Sequence, residues 1–355
     1  MNIPYRTRRK LRIFGTIAMV LILLFCVTWL CWVIWLQRYV VYTDEGASLD
    51  FNRSANEVVG EVPEAPVASL DISIYYNEGA NAIDTEQELT KLSGYYISND
   101  MLVNTPANVE RFKIQIQRLD AGTPVMIEMK GPFGSFFYQS GLGDAVISQS
   151  TDLTAMSELV ELIQSKGCYA IAQISAFRDR SFGVTHVPSG LYMLNRRGLW
   201  MDEGGMYWLD PTNATTISWI TSVVTELKDM GFNEVVLTDF CFPDTDQIIF
   251  NGDRDQALAE AAQKLLSACG TEKFTLSFCV NDYTFPLPEG RCRMYLQDVN
   301  APRVGEIASK VEIEDPETRL VFLCSSGDTR YDEYGVLRAM TVAEEVEARK
   351  ANQSE

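Results

Sequence analysis

From about Leu70 onward, short apolar runs of strand character alternate with longer amphipathic stretches, and this alternation restricts the fold more than any other feature of the sequence. The strand candidates are 70–76, 94–98, 124–130, 168–176, 234–239, 274–280, 291–296 and 319–324; helices are predicted at 108–119, 153–165, 215–230 and 256–268. Strand, helix and strand in repeated succession imply an α/β fold with a mostly parallel sheet, because parallel neighbours need a crossover connection. Seven or eight strands over 70–355 suit a closed (β/α)8 barrel, a fold that takes about 250 residues. The last third holds only short strand candidates, which leaves room there for an irregular portion.

Ahead of this domain, 13–36 is an uncharged run rich in Leu, Ile, Val, Phe and Trp. At about 1.5 Å per residue it matches a hydrocarbon core about 30 Å thick and is read as one transmembrane helix. Arg6, Arg8, Arg9, Lys10 and Arg12 precede it, and only Arg38 follows before Asp44 and Glu45. That bias makes 1–12 a cytoplasmic basic tail and places the domain outside the cytoplasm, at the cell membrane, on a single-pass anchor. The run is longer than a cleaved signal peptide's apolar region and ends on Trp29, Trp32, Trp35, Tyr39 and Tyr42, an interfacial aromatic set, so the helix is read as an uncleaved signal anchor. The acidic, polar stretch 43–69, with Pro63 and Pro66, reads as a linker.

The whole chain carries a net charge of −18, and the cations cluster at the anchor, so the exported part is more acidic still. This excludes nucleic acid as a partner through any general basic field. One histidine, His186, and no C-x-x-C spacing make a zinc site improbable, and no cofactor is required by the chemistry considered next. Six cysteines lie beyond the anchor, four of them inside apolar strand-like runs, and they are read as buried free thiols. Asp244, Asp246, Asp253 and Asp255 lack the spacing of a calcium-binding loop and read as a solvated acidic loop. Trp219 shares a helical face with Ile220, Val223, Val224 and Leu227 and reads as core.

In a parallel barrel, ligands bind where strands end and the following loops begin. Here Glu128 and Lys130 close one strand, Arg178 and Asp179 follow the next, Asp239 closes another, and Asp282 follows a fourth. Acidic groups converging on one mouth equip it for glycosidic bond cleavage, which takes one carboxylic acid to protonate the leaving oxygen and one carboxylate as nucleophile or base. Charged residues at strand ends are also ordinary, because a strand re-enters solvent there. Trp200, Tyr207 and Trp208 in one long loop, and Phe136, Phe137 and Tyr138 in another, are either platforms for the apolar face of a sugar ring or packing that holds the loops.

Four segments carry a family likeness: VMIEMKG (125–131), AIAQISAFRDR (170–180), GLWMDEGGMYWLDP (198–211) and LKDMGFNEVVLTDFCFP (227–243). In order and separation they resemble the putative glycosyl hydrolase domain family, an uncharacterised group of exported TIM barrels that are glycoside hydrolase-like. The resemblance implies a TIM-type (β/α)8 barrel with a carbohydrate-related role. It picks out Glu128, Lys130, Asp179, Trp200, Asp202, Trp208, Asp210 and Asp239. Gly131 stands where the family commonly has a second acid, and Cys241 where it has Arg. Asp239 sits one residue nearer Phe242-Pro243 than the family's usual Asp, so either a bulge re-aims it or Thr238 takes its place.

The expectation is a cell-surface glycoside hydrolase-like protein that acts on an extracellular polysaccharide or cell-wall glycan. Asp239 and Glu128 are the first acid and nucleophile candidates, with Asp179 and Asp282 behind them. Lys130, Arg178, Trp200, Asp202, Tyr207, Trp208 and Asp210 are the candidates for substrate binding. The alternative is a catalytically inactive barrel that serves as a glycan-binding or protein-interaction module at the envelope.

Overall fold

The computed structural model describes residues 28–29, 40–43, 46–49, 89–103, 106–344 and 346, and the chain divides between Ile74 and Tyr75 into two units. In the first unit, strands Val40–Thr43 and Gly46–Leu49 pair antiparallel, so the stretch read as a linker contains a paired strand. The basic tail 1–12 and the strand candidate 70–76 lie outside the described residues. So does the predicted span 13–36, apart from Thr28 and Trp29, which are helical. Among the described residues, no helix is long and apolar enough to cross a membrane.

The second unit is a barrel of eight parallel strands: β1 (Ser93–Ile97), β2 (Pro124–Lys130), β3 (Tyr169–Ser175), β4 (Glu234–Thr238), β5 (Thr275–Cys279), β6 (Met294–Gln297), β7 (Leu320–Cys324) and β8 (Gly335–Ala339). Each pairs with the next, and β8 pairs with β1 through Val336 opposite Ser93, which closes the cylinder and leaves no edge. The TIM-type barrel expected from the sequence is therefore present. The strand that closes it, GVLRA, is absent from the sequence reading because it is short and interrupted by Arg338.

The crossovers of the first half are regular: α1 (Pro106–Arg118), α2 (Leu153–Ser165), the short α3 (Arg180–Thr185) with α4 (Ala214–Asp229), and α5 (Arg254–Cys269). Local chemistry sets their starts. Asp152, Asn213 and Asp253 each cap a helix by accepting hydrogen bonds from first-turn N–H groups, a contribution of about 1 kcal/mol apiece. The Asp253 carboxylate in the acidic loop is thus committed to a helix. Gly231, at φ +90°, turns α4 into β4 through a conformation that other residues resist. The second half is irregular, as its weak patterning implied. Among the described residues no helix joins β5 to β6, a 3₁₀ turn (Ala301–Arg303) with the short α6 (Val304–Ala308) and α7 (Pro316–Arg319) joins β6 to β7, and a single 3₁₀ turn, Thr329–Glu333, leads to β8.

Strand alternation sorts side chains into two cores. Phe112 and Ile116 of α1, Leu159 and Ile163 of α2, Trp219 and Val223 of α4, and Leu265 of α5 pack on the outward strand residues. Each fully buried aliphatic there contributes about 1.5–3 kcal/mol. The interior is filled by Met126, Ile171, Val236, Cys279, Tyr295, Val321 and Leu337, one each from β2 to β8, with Leu92 just ahead of β1. All six cysteines of this unit are free.

The floor of the barrel, at the N-terminal strand ends, is polar. Glu234 is fully buried, and its carboxylate accepts from the Arg293 guanidinium, Tyr169 Oη (3.1 Å), Tyr295 Oη (2.9 Å) and Ser277 Oγ (2.6 Å). Arg293, also buried, donates from Nε to the Thr318 carbonyl and from Nη2 to the Thr90 carbonyl.

Candidate active site

Alternation along β2 puts Met126 and Glu128 on the interior face, Glu128 being the nearer to the C-terminal mouth. A bulge follows: Glu128 lies opposite Gln173, but Lys130 lies opposite Ile174, so two residues of β2 advance while β3 advances one. The extra residue turns Lys130 onto the other face from Glu128. There Lys130 is buried, donating to the Ser175 carbonyl (2.8 Å) and pairing with Asp179 Oδ2 (2.8 Å).

This placement decides the role of Asp179. The residue is fully buried: Oδ1 accepts from the Phe182 N–H (2.8 Å) and caps α3, while Oδ2 takes Lys130 and the Trp219 indole N–H (3.3 Å). Both oxygens are engaged by these donors, which makes Asp179, a catalytic candidate, a clasp between the β2 and β3 loops. Gly134 completes the clasp. At φ +75°, its position would bring a Cβ within 2.1 Å of Asp179 Oδ1. Lys130, a substrate-binding candidate, spends its ammonium on the same clasp.

Asp239 answers the question of register. Val236 and Thr238 share the interior parity of β4, so a continued strand would turn Asp239 outward with Val235 and Leu237. Instead the backbone takes a left-handed conformation at Asp239, φ +50°, which Asp adopts more readily than most residues. The side chain returns to the mouth, where Oδ2 lies 2.6 Å from Ser175 Oγ.

Glu128 and Asp239 thus converge at one rim, both partly buried. Burial pushes the Glu128 carboxyl up to about 7; the Asn99 backbone N–H donating to Oε2 (2.8 Å) opposes the rise, and the negative charges of Asp100 and Asp239 add to it. Burial likewise raises Asp239, against the Ser175 hydroxyl and the positive charges of Arg178 and Lys130. The neighbouring Cys241 thiol is pushed up to about 12 by burial and by Asp239, which keeps it protonated and unreactive.

Arg178 faces this pair from the loop after β3. Its Nε donates to Asp202 Oδ2 (2.7 Å), and its guanidinium lies 5.9 Å from the Trp208 ring centre. Asp202 also accepts from Trp208 Nε1 (3.1 Å) and the Met206 N–H (2.9 Å). Against desolvation, these bonds hold its carboxyl below the usual range. Asp202 and Trp208 are therefore the mount for Arg178. Among the described residues, the Arg178 Nη atoms have no hydrogen-bond partner.

The remaining candidates are placed differently. Trp208 is 7% exposed, and Phe136, Phe137 and Tyr138 are buried, so their faces pack against protein. Trp200 and Tyr207 are partly exposed. Asp210 and Asp282 each fold back on the second residue ahead, accepting from Thr212 and Thr284 backbone and hydroxyl groups at 2.7–2.8 Å, so both are turn formers. Asp282, a catalytic candidate, is exposed in the loop after β5. Ser175 and Asn99, absent from the candidates, hold the two carboxyls. Ser175 carried a signal, since Gln173 and Ser175 are polar at alternate positions of an apolar strand; Asn99 carried none, because it acts through its backbone. Among the described residues no group of three or more His, Cys, Asp or Glu side chains is arranged to hold a metal.

Comparison with known proteins bears on the same region. No curated protein matches the sequence. A hypothetical protein from Ruminiclostridium thermocellum is 15% identical, with a TM-score of 0.45 over 52% of this chain and 96% of its own. A GH36 α-galactosidase from Geobacillus stearothermophilus in complex with 1-deoxygalactonojirimycin is 11% identical, with a TM-score of 0.47 over 75% of this chain and 44% of its own. A GH20 exo β-N-acetylglucosaminidase from Vibrio harveyi in complex with N-acetylglucosamine is 8% identical, with a TM-score of 0.47 over 72% and 46%. The chain spans less than half the length of either enzyme. The model of one family matches residues 94–274, from β1 to the threshold of β5, and so takes in Glu128, Ser175, Arg178 and Asp239. With more than half of its length inside that match, the chain belongs to the family described as "Putative glycosyl hydrolase domain".

Proposed function

We propose that this barrel is a glycoside hydrolase-like enzyme that cleaves an extracellular polysaccharide with Glu128 and Asp239, presented outside the cytoplasm on the N-terminal helix predicted at 13–36. The observation that carries the reading is the carboxyl pair itself: two acids from different strands, partly buried at one mouth, each with a raised pKa, and with Asp239's charge felt by Glu128. Burial that disfavours both charges, with the Asp239 charge further disfavouring that of Glu128, supports one protonated carboxyl beside one ionised, the state a glycosidase needs for an acid and a nucleophile or base. Arg178, fixed by Asp202 and Trp208, has its Nη atoms available for sugar hydroxyls or a carboxylate on the glycan.

The test is a glycan-array and hydrolysis screen of the full-length chain, with Asp239→Asn and Glu128→Gln beside the parent. Cleavage by the parent and its loss in both variants is the expected result. Binding without cleavage, unchanged in both variants, makes the barrel a glycan-binding module, and the enzymatic reading fails. For the anchor, protease treatment of intact cells is expected to remove the barrel; a protected C-terminus reverses the topology.

A further inference from the structure

Ser175 makes two contacts that a single hydroxyl hydrogen serves in only one protonation state. Its Oγ lies 2.7 Å from the Arg178 carbonyl oxygen and 2.6 Å from Asp239 Oδ2. A carbonyl oxygen only accepts, and an ionised carboxylate only accepts. With Asp239 ionised, two acceptors compete for one hydrogen, and the contact that loses sets two oxygens at hydrogen-bond distance without a proton between them. With a proton on Oδ2 the chain closes: Asp239 donates to Ser175 Oγ, and Ser175 donates to the Arg178 carbonyl. Ser175 is 2% exposed, so water does not readily relieve the conflict, and an unmet buried acceptor is costly.

We propose that Asp239 is the proton-bearing member of the pair in the resting protein, and that Ser175 is the positioning residue that holds it in that state through its own bond to the Arg178 carbonyl. The inference deepens the glycosidase reading and rests on it only for the use made of the proton. By contrast, Glu128 Oε2 accepts from a backbone N–H, a donor that cannot accept a proton in return and that favours the ionised carboxylate. Part of the rise at Glu128 comes from the Asp239 charge, and that part vanishes once Asp239 is neutral. The ionisable neighbours facing Asp239 are Glu128 and Lys130 from β2, Arg178 and Asp202 from the β3 loop, its own neighbour Cys241, and Cys279 from β5. Arg178 and Lys130 favour ionisation, as does a Ser175 hydroxyl that spends its hydrogen on Oδ2; with that hydrogen given to the Arg178 carbonyl instead, Ser175 opposes them. When the glycosidic oxygen takes the proton, its bond to the anomeric carbon breaks with the electron pair leaving on that oxygen, the Glu128 carboxylate or a water it activates bonds to the carbon, and Asp239 becomes an anion. The Ser175 hydroxyl then turns from the carbonyl to Oδ2. Ser175 is thus a rotor that is satisfied differently before and after proton release.

The test reads protonation rather than catalysis, so its failure is separable from failure of the glycan screen. pH-difference infrared spectra of the full-length chain are recorded, with Asp239→Asn assigning the carboxyl band. At a pH about two units above the ordinary Asp value of about 3.9, the parent is expected to retain a protonated carboxyl that Asp239→Asn removes. Ser175→Ala deletes the acceptor for that proton and is expected to lower the Asp239 pKa by about one unit, and Ser175→Thr to restore it. If Ser175 merely donates to a carboxylate, Ser175→Ala raises the pKa instead. A rise, an unchanged value, or no Asp239 carboxyl band in the parent overturns the proposal. If Ser175→Ala does not fold, the parent's band and its persistence in Ser175→Thr still decide it.

Discussion

The two ends of this barrel each bury a glutamate inside a ring of eight strands, and they treat it in opposite ways. At the floor, Glu234 is surrounded by Arg293, Tyr169, Tyr295 and Ser277, so its charge is matched and its lone pairs are filled. At the mouth, among the described residues, Glu128 has a single hydrogen-bond partner, the Asn99 N–H, and lies beside a second carboxyl, Asp239. The contrast separates a plug from a site: burial alone does not make a carboxylate reactive, whereas burial without matching donors leaves its protonation open to change near neutral pH.

The largest effect expected from this contrast lies at the floor. Arg293→Met leaves Glu234 buried without its guanidinium and is expected to cost about 3–5 kcal/mol in denaturant unfolding at pH 7, the usual price of breaking a buried pair from one side. Any glycan cleavage per folded molecule stays unchanged, because the site is at the other end. A loss under about 1 kcal/mol, or a selective loss of cleavage, breaks the division between plug and site.

The mouth responds with the opposite sign. Burial, which persists when Asp239 is neutral, is the largest part of what pushes the Glu128 carboxyl up to about 7 from an ordinary value of about 4.5. Between those values the folded chain holds a proton that the unfolded chain has released, so stability falls as pH rises from about 4.5 to about 7 and is level above. Glu128→Gln removes that loss. The variant is expected to gain at most about 3 kcal/mol over the parent above pH 7, relative to their difference at pH 4, while losing cleavage. Parallel unfolding curves at the two pH values check it, and an equal difference at both shows that Glu128 is not destabilised by ionisation.

How far the sequence exposed this arrangement follows from what alternation and residue type can encode. The strand ends brought Glu128 and Asp239 forward because a carboxyl at the end of an apolar run stands out. The same rule brought forward Asp179 and Lys130, and nothing in their types showed the bulge that turns Lys130 onto the other face from Glu128 or the cap that consumes Asp179. The register doubt at Asp239 was visible in the spacing to Phe242-Pro243. Its resolution is a single backbone angle, which no pattern of side chains displays. The floor was invisible for a different reason: Glu234 begins a strand and Arg293 precedes another 59 residues away, so each alone reads as a solvated strand end.

The aromatic loop sharpens the comparison at smaller scale. Trp208 is committed to Asp202 and the core, which leaves Trp200, partly exposed in the same loop, as the candidate platform. Trp200→Ala is expected to weaken binding of a glycan hit by about 1–3 kcal/mol, roughly tenfold to a hundredfold in Kd. Titration against the parent measures it. Unchanged affinity assigns the ring to loop packing and leaves Arg178 as the better candidate for holding sugar.

The smallest effect is expected at Asp282, the carboxylate that sequence position alone would rank with Asp239. Both follow a barrel strand directly or by a few residues, and both lie at short hydrogen-bond distance from a hydroxyl. They differ in surroundings: Asp282 is exposed, its Oδ1 takes the Thr284 N–H and Oγ, and water is free to replace either donor. Asp282→Ala is therefore expected to cost about 0.5–1 kcal/mol of stability through the lost turn and to leave glycan cleavage within twofold of the parent. Asp239→Asn, isosteric and far milder in shape, is expected to abolish it. Initial rates on the same glycan for the two variants decide between them, and a rate lost in Asp282→Ala with folding intact moves the acid from β4 to the loop after β5.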